Sequence, residues 1–94
     1  MTKVIDVPPS LDDQSFEQVF EALAPLPPDE KILIDARRTR WASPYGLTAL
    51  LTLAQTRQQK PTLAIPELED TATYWARTQF FHFAADLYEI NGKV

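Results

Sequence analysis

Three side chains in this sequence are of the types that a serine hydrolase needs: Asp35, Ser43 and His82. In such enzymes a histidine activates the serine, and a carboxylate orients the histidine. Asp35 ends an apolar run, so it is expected at the carboxyl end of a strand, where α/β proteins bind ligands. The nucleophile-elbow pattern Gly-x-Ser-x-Gly is missing around Ser43, however, and no local pattern gives His82 an oriented partner. We therefore expect His82 to pack or to lie at the surface, and we predict that the chain is not an enzyme.

The counts of glycine, cysteine and histidine restrict the cofactors that the chain can bind. It contains two glycines, no cysteine and one histidine. A phosphate-binding loop needs several glycines close together so that the backbone can wrap the anion. Structural zinc sites are built from cysteine and histidine ligands. The sequence predicts neither a nucleotide-binding loop nor a zinc site, and we expect no cofactor.

The size, charge and hydropathy of the chain narrow the class of partner. Its 94 residues match one domain, so we assign residues 1–94 to a single domain. The net charge is −4, and the basic residues cluster only at Arg37, Arg38 and Arg40, whereas nucleic-acid-binding proteins usually present a basic face. No apolar segment approaches the roughly 20 residues that span a bilayer, and the N-terminus has no apolar run of signal-peptide length. We predict a cytoplasmic protein that neither binds nucleic acid nor inserts into a membrane.

Strand patterns recur along the chain with helical patterns between them. Short apolar runs at residues 4–7, 31–36 and 62–65 predict strands. The first is expected near a sheet edge because two prolines follow it, and the second is expected to be buried on both faces. A last strand is predicted near residues 87–90, with Asn91-Gly92 as a turn or a fraying end. This alternation predicts an α/β fold, in which about three helices connect a mostly parallel four-stranded sheet.

The first predicted helix follows the first strand. Asp12 or Asp13 is expected to cap its N-terminus. Apolar residues at helical spacing then form one face that should pack on the sheet: Phe16, Val19, Phe20 and Leu23. Prolines end this helix before the second strand.

The two later helices also have recognisable starts. Ser43-Pro44 places a good N-cap residue before proline at the first helical position, which is the clearest helix start in the chain. Glu69 or Asp70 is expected to cap the third helix. The aromatic residues in and after this helix are predicted to lie mostly in the core: Tyr74, Trp75, Phe80, Phe81 and Phe83.

The segment ILIDARRTRWASPYGLTALL, residues 32–51, resembles the core of the STAS family, which is named after sulfate transporters and anti-sigma factor antagonists. In that family an apolar strand ends in Asp, a loop follows, and Asp-Ser-x-Gly-Leu opens an apolar helix. Asp35 matches the Asp at the strand end, Ser43 follows it at the family's spacing, and Gly46-Leu47 matches the Gly-Leu pair. The resemblance continues more weakly through the next strand and helix. It implies a single STAS-like domain.

The sequence departs from the family pattern at the residue that carries the family's switch. In bacterial anti-sigma factor antagonists the Ser after the motif's Asp is phosphorylated. Pro44 holds that position here, and Ser43 holds the position of the Asp. Because proline has no hydroxyl, the resemblance implies a protein without the usual serine switch, and the segment looks like the Asp-Pro-Phe-Gly variant of a divergent STAS-like group. We expect the Ser43 hydroxyl to cap the helix, with its phosphorylation as an alternative.

The loop and the helix start are where STAS domains dock onto another protein. The resemblance implies a regulatory partner such as a histidine-kinase-like ATP-binding protein, or, in another branch of the family, a transporter or a lipid-trafficking ATPase. Arg, Trp and Tyr side chains are enriched in the hot spots of interfaces. We predict that six residues bind the partner: Arg37, Arg38, Arg40, Trp41, Ser43 and Tyr45.

Three alternatives to this docking interpretation stay open on the sequence. In the first, Trp41 packs into the core beneath the helix and the arginines form a solvated loop. In the second, the chain is a small-ligand-binding or enzymatic domain that uses Asp35 and Ser43 at the strand ends. In the third, the chain assembles with copies of itself through a sheet edge or its aromatic C-terminal segment.

Overall fold

The computed structural model describes residues 2–91. Six strands and four helices occur within these residues. In chain order they are β1 (Lys3–Asp6), β2 (Ser10–Leu11), α1 (Phe16–Leu23), β3 (Ile32–Asp35), β4 (Trp41–Ala42), α2 (Pro44–Gln55), β5 (Thr62–Ala64), α3 (Glu69–Arg77), α4 (Phe80–Leu87) and β6 (Glu89–Asn91). The predicted α/β class is confirmed, with one helix more than expected.

The main sheet has four strands in the order β1-β3-β5-β6, and every neighbouring pair is parallel. The strands follow one another across the sheet in one direction, and connections between parallel strands are right-handed, so all the helices lie on the same face. Burial agrees, because Ile5, Ile34 and Leu63 on that face are buried while Val4 on the other face is 55% exposed. Leu33 of β3 lies on the same open face as Val4 and is only half-buried. The prediction that β3 is buried on both faces is therefore wrong.

A second, two-stranded sheet forms from two segments for which the sequence predicted no strand. Trp41–Ala42 pairs in parallel with Ser10–Leu11. Helix α2 approaches this pair closely at Gly46, because a Cβ atom on Gly46 would lie 2.7 Å from the carbonyl oxygen of Leu11 and 2.8 Å from its Cγ. The glycine is therefore required by the close packing of α2 against β2.

Helix α1 confirms most of its predicted apolar face. Val19 and Leu23 are buried in the core, and Phe16 is half-buried. Phe20 is 60% exposed, so its predicted place in the core is wrong. On a helical wheel, Phe20 lies farther from the buried Val19 than Phe16 and Leu23 do. Only part of the apolar face of this eight-residue helix therefore faces the sheet.

Neither α1 nor α3 begins with a side-chain cap. The cap predicted for α1 is wrong, because Ser15 occupies its N-cap position. Asp12 lies in the turn before it, where its Oδ1 accepts a hydrogen bond from the backbone N–H of Ser15 at 2.8 Å. The cap predicted for α3 is wrong, since Leu68 occupies the N-cap position and no side chain accepts a hydrogen bond there. Glu69 and Asp70 instead lie in the first turn, where their negative charges interact favourably with the helix dipole.

The single predicted third helix is broken into α3 and α4 at Gln79. This residue has a φ of 63° and a ψ of 19°, in the left-handed region. The Thr78 hydroxyl donates to the carbonyl of Trp75 at 2.7 Å and closes the end of α3. Trp75, Phe80 and Phe81 are buried together, with the Trp75 and Phe80 rings edge to face at 5.2 Å. The break therefore brings aromatic residues from two helices into one core.

The C-terminal part of the described chain completes the sheet. Strand β6 begins at Glu89, two residues later than predicted, and the predicted turn at Asn91-Gly92 runs beyond the described residues. The buried Tyr88 precedes it, and its hydroxyl donates to the carbonyl of Leu50 in α2 at 2.6 Å. Among residues 2–91, no helix combines the length and the apolar character that crossing a membrane requires.

Candidate partner-binding surface

The segment between β3 and α2 lies at the carboxyl end of the sheet, as predicted, and hydrogen bonds hold it in place. The backbone N–H groups of Arg40 and Trp41 both donate to the carbonyl of Pro9, at 2.7 and 3.1 Å. Thr39 is buried, and its hydroxyl donates to the carbonyl of Pro8 at 3.1 Å. The exposed side chains of this segment therefore project from a fixed backbone, which reduces the entropy that binding would cost.

Arg37 is engaged within the molecule. Its Nε donates to Oδ1 of Asp35 at 3.0 Å, its Nη2 donates to Oδ2 at 2.9 Å, and its backbone N–H donates to Oδ1 at 3.1 Å. The Asp35 side chain is 4% exposed and that of Arg37 is 51% exposed. The hydrogen bonds from the Arg37 side chain hold the pKa of the Asp35 carboxyl below its usual range. Asp35 thus fixes the start of the segment, while half of Arg37 faces solvent.

The other cations and the two aromatic residues of the segment are accessible. Arg38 and Arg40 are exposed, and neither forms an ion pair among residues 2–91. Trp41 is 50% exposed and Tyr45 is 57% exposed. The alternative in which Trp41 packs into the core beneath the helix is therefore wrong. We call Arg38, Arg40, Trp41 and Tyr45 the basic-aromatic turn.

Ser43 begins α2 as the sequence predicts. Its backbone is extended, with a φ of −76° and a ψ of 162°, and its Oγ accepts a hydrogen bond from the N–H of Gly46 at 3.1 Å. Pro44 follows at the first helical position. The predicted capping role is confirmed, and the half-buried hydroxyl lies beside the basic-aromatic turn.

A cleft of about 370 Å³ separates the turn from α3. The rings of Trp41 and Tyr74 line it together with Arg40 and Asp70. Thr71 closes its base, since its hydroxyl donates to the carbonyl of Arg40 at 2.8 Å and its side chain is buried. Tyr74 is exposed, against its predicted place in the core, and so widens the aromatic surface around Trp41.

Helix α2 extends the exposed surface beyond the basic-aromatic turn, and it carries no charged side chain. No residue from Pro44 to Thr56 is ionisable apart from Tyr45, and Thr48 and Thr52 are exposed on the outer face. A second cavity on one side of the helix is lined by Pro44 and by Phe83 of α4. Phe83 is also exposed, contrary to its predicted place in the core. The outer faces of helices usually carry charged residues, so this neutral face differs from an ordinary solvated one.

The three residues that suggested hydrolase chemistry make separate contacts in the structure. His82 is exposed on α4, with its ring edge to face with that of Phe83 at 5.3 Å. The Ser43 hydroxyl is used in capping and the Asp35 carboxylate in binding Arg37. Within the described part of the chain, no three His, Cys, Asp or Glu side chains are grouped as a metal site would require.

The exposure of Phe20, Tyr74 and Phe83 was not predicted, because helical spacing alone does not say which apolar face another element covers. For the outer face of α2, the sequence did carry a signal, since residues 44–56 contain no charged side chain. No protein-family model, curated protein or solved structure matches the chain.

Proposed function

We propose that this chain is a non-catalytic, cytoplasmic interaction module of the anti-sigma factor antagonist type, which binds a regulatory protein through the basic-aromatic turn. The observation that carries the proposal is that Trp41 and Tyr45 are half exposed on a hydrogen-bonded backbone, in the same eight-residue segment as the guanidinium groups of Arg38 and Arg40, which are unpaired in the described part of the chain. Large apolar rings beside arginine are the usual composition of interface hot spots.

The chemistry of the turn indicates the complementary surface on the partner. Arg38 and Arg40 favour carboxylate or phosphate groups, which guanidinium binds in a bidentate manner. Trp41 and Tyr45 favour apolar pockets that remove their rings from water. Through the STAS resemblance, the partner is a histidine-kinase-like ATP-binding protein, with the ATPase subunit of a transport or lipid-trafficking complex as the alternative.

The start of α2 makes this binding independent of the usual serine switch. A phosphoserine would add about −1.5 to −2 charge at the helix start. Pro44 occupies the family's phosphorylation position and has no hydroxyl to accept a phosphoryl group. The neighbouring Ser43 hydroxyl already accepts the N–H of Gly46. Binding is therefore set by the presence of the partner, without modification at this position.

The test uses charge reversal and truncation in the turn. Each candidate ATPase, expressed from neighbouring genes, is titrated with the wild-type chain and with Arg38→Glu and Tyr45→Ala by isothermal titration calorimetry. We expect each variant to weaken the complex at least tenfold, because both side chains are exposed and their loss leaves the core intact. Glu89→Lys, on the open face of the sheet, is the matched control and should bind as wild type. If both turn variants bind as tightly as wild type, the proposed surface is wrong.

A further inference from the structure

Helices α1 and α2 lie side by side and leave an apolar groove between them. The groove has a volume of about 280 Å³. Its walls include Phe16, Phe20 and Leu23 from α1, and Tyr45, Ala49 and Leu53 from α2. Two of these rings are largely exposed, Phe20 at 60% and Tyr45 at 57%. Tyr45 belongs both to this groove and to the basic-aromatic turn, so the two surfaces are continuous.

Nothing in the packing of the domain requires Phe20 to be apolar. Val19 and Leu23 already attach α1 to the core, and Phe20 lies beyond them toward solvent. A large exposed apolar surface of this kind favours association with another molecule. Both helices run back along parallel strands, so they point in the same direction.

The two walls of the groove differ in charge. The α2 wall is neutral because residues 44–56 carry no charged side chain. The α1 wall is acidic at its outer edge, since Glu17 lies three positions before Phe20 and Glu21 directly after it, both exposed. Residues four apart lie on the same side of a helix, so the two carboxylates lie together on the solvent side of Phe20, next to the residues that line the groove.

This charge distribution favours one kind of molecule over another as the occupant of the groove. A second copy of the chain, docked symmetrically through the same groove, would place two acidic α1 helices against each other, and each copy carries a net charge of −4. A segment with lysine or arginine beside an apolar face would instead match both walls. A helix laid into a groove between two helices is a common recognition mode, with apolar anchors at i, i+3, i+4 and i+7.

We infer that the α1–α2 groove binds an amphipathic helix of the partner, with its apolar face against Phe20 and Tyr45 and its basic residues along Glu17 and Glu21. This inference rests on the proposed function and names the partner segment that would engage next to the basic-aromatic turn. A helix as long as α2 spans about 18 Å, which is enough for three or four anchors.

The experiment uses synthetic peptides as probes and the whole chain as the receptor. The first peptide is an amphipathic helix with leucines at the four anchor positions and lysines beside them. The second has glutamates in place of the lysines, and the third has the composition of the first with its leucines spread around the helix. Binding is measured by fluorescence anisotropy, and the site is mapped by amide chemical-shift changes.

Wild-type protein should bind the lysine peptide at least tenfold more tightly than either control peptide, with shifts centred on Phe20, Tyr45 and Ala49. Phe20→Ala should weaken binding about tenfold without unfolding the protein, because the ring is exposed. The double variant Glu17→Lys, Glu21→Lys should reverse the preference toward the glutamate peptide. Val4→Ala, an exposed apolar residue on the open face of the sheet, is the control and should change nothing.

Several outcomes would overturn the inference. Equal binding of the lysine and glutamate peptides would show that Glu17 and Glu21 do not contribute to recognition. Shifts confined to the Trp41–Tyr74 cleft would place the peptide elsewhere. A wild-type dimer in sedimentation velocity that Phe20→Ala dissociates would show that a second copy fills the groove. In each case an effect of Arg38→Glu on the partner complex would still support the proposed function, so the two failures can be told apart.

Discussion

Replacing Gly46 by alanine tests whether the close approach of α2 to β2 limits the stability of the fold. The added Cβ would lie 2.7 Å from the carbonyl oxygen of Leu11, whereas ordinary contacts begin at 3.4 Å, so the backbone of one element must move by about 0.7 Å. Overpacking of this kind typically costs about 1 to 3 kcal/mol. Because the closest contact is with backbone, which cannot move aside as a flexible side chain can, the overpacking cost lies in the upper half of that range, at about 2 to 3 kcal/mol. Alanine also favours the helix by about 1 kcal/mol relative to glycine. The net expectation for Gly46→Ala is therefore a loss of about 1 to 2 kcal/mol.

The assay is urea unfolding followed by circular dichroism, together with thermal melts. For a domain of this size, each kcal/mol lowers the Tm by about 4 to 8 °C. Thr48→Ala is the control, because Thr48 is exposed in the same helix and its replacement changes helix propensity alone. We expect that control to melt at or slightly above the wild-type temperature. A Gly46→Ala protein as stable as wild type would mean that the Leu11 contact is not restrictive, and the reasoning would fail.

Three further substitutions examine other contacts. Tyr88→Phe removes the buried hydroxyl that donates to Leu50 and should lower the free energy of unfolding by about 1 kcal/mol, measured by urea denaturation. Gln79→Gly should raise it by about 0.5 to 1 kcal/mol in the same assay, because glycine adopts the left-handed conformation without steric strain; a lower unfolding midpoint would contradict this. Arg37 lowers the folded-state pKa of Asp35, so this carboxylate stabilises the fold above about pH 4, and the stabilisation is lost as the pH falls through the lowered value. Asp35→Asn should therefore be less stable than wild type at pH 7, with the difference shrinking in unfolding curves recorded at decreasing pH below 4; a constant difference would refute the assignment.

The course of the main sheet was predictable because strong local signals separate its elements. Prolines end the strands and the first helix, and Ser43-Pro44 marks the start of α2. The β2–β4 pair was not predictable, since two-residue strands leave no periodic pattern. The break at Gln79 was equally hidden, because left-handed backbone is usually marked by glycine or asparagine.

The candidate site was predictable in position and less so in detail. Clustered arginines and aromatics around Trp41 identified the segment, and its fixed backbone depends on carbonyls of Pro8 and Pro9 from a distant part of the chain. The bidentate pairing of Arg37 with Asp35 depends on side-chain geometry that composition does not reveal. The exposure of Phe20 depends on which helices pack beside α1, and a helical repeat carries no information about that.

The register of the sheet has a consequence for how the chain folds. Lys3 pairs with Ile32, Leu33 with Thr62, and Thr62 with Glu89, so the paired residues are 27 to 29 positions apart. Within residues 2–91, therefore, no hairpin is available as a local nucleus. Helices form in about a microsecond or less, whereas sheets built from distant pairings assemble on the order of milliseconds or more slowly. Because the last pair needs β6, a chain emerging from the ribosome completes its sheet only after residues 89–91 have left the exit tunnel.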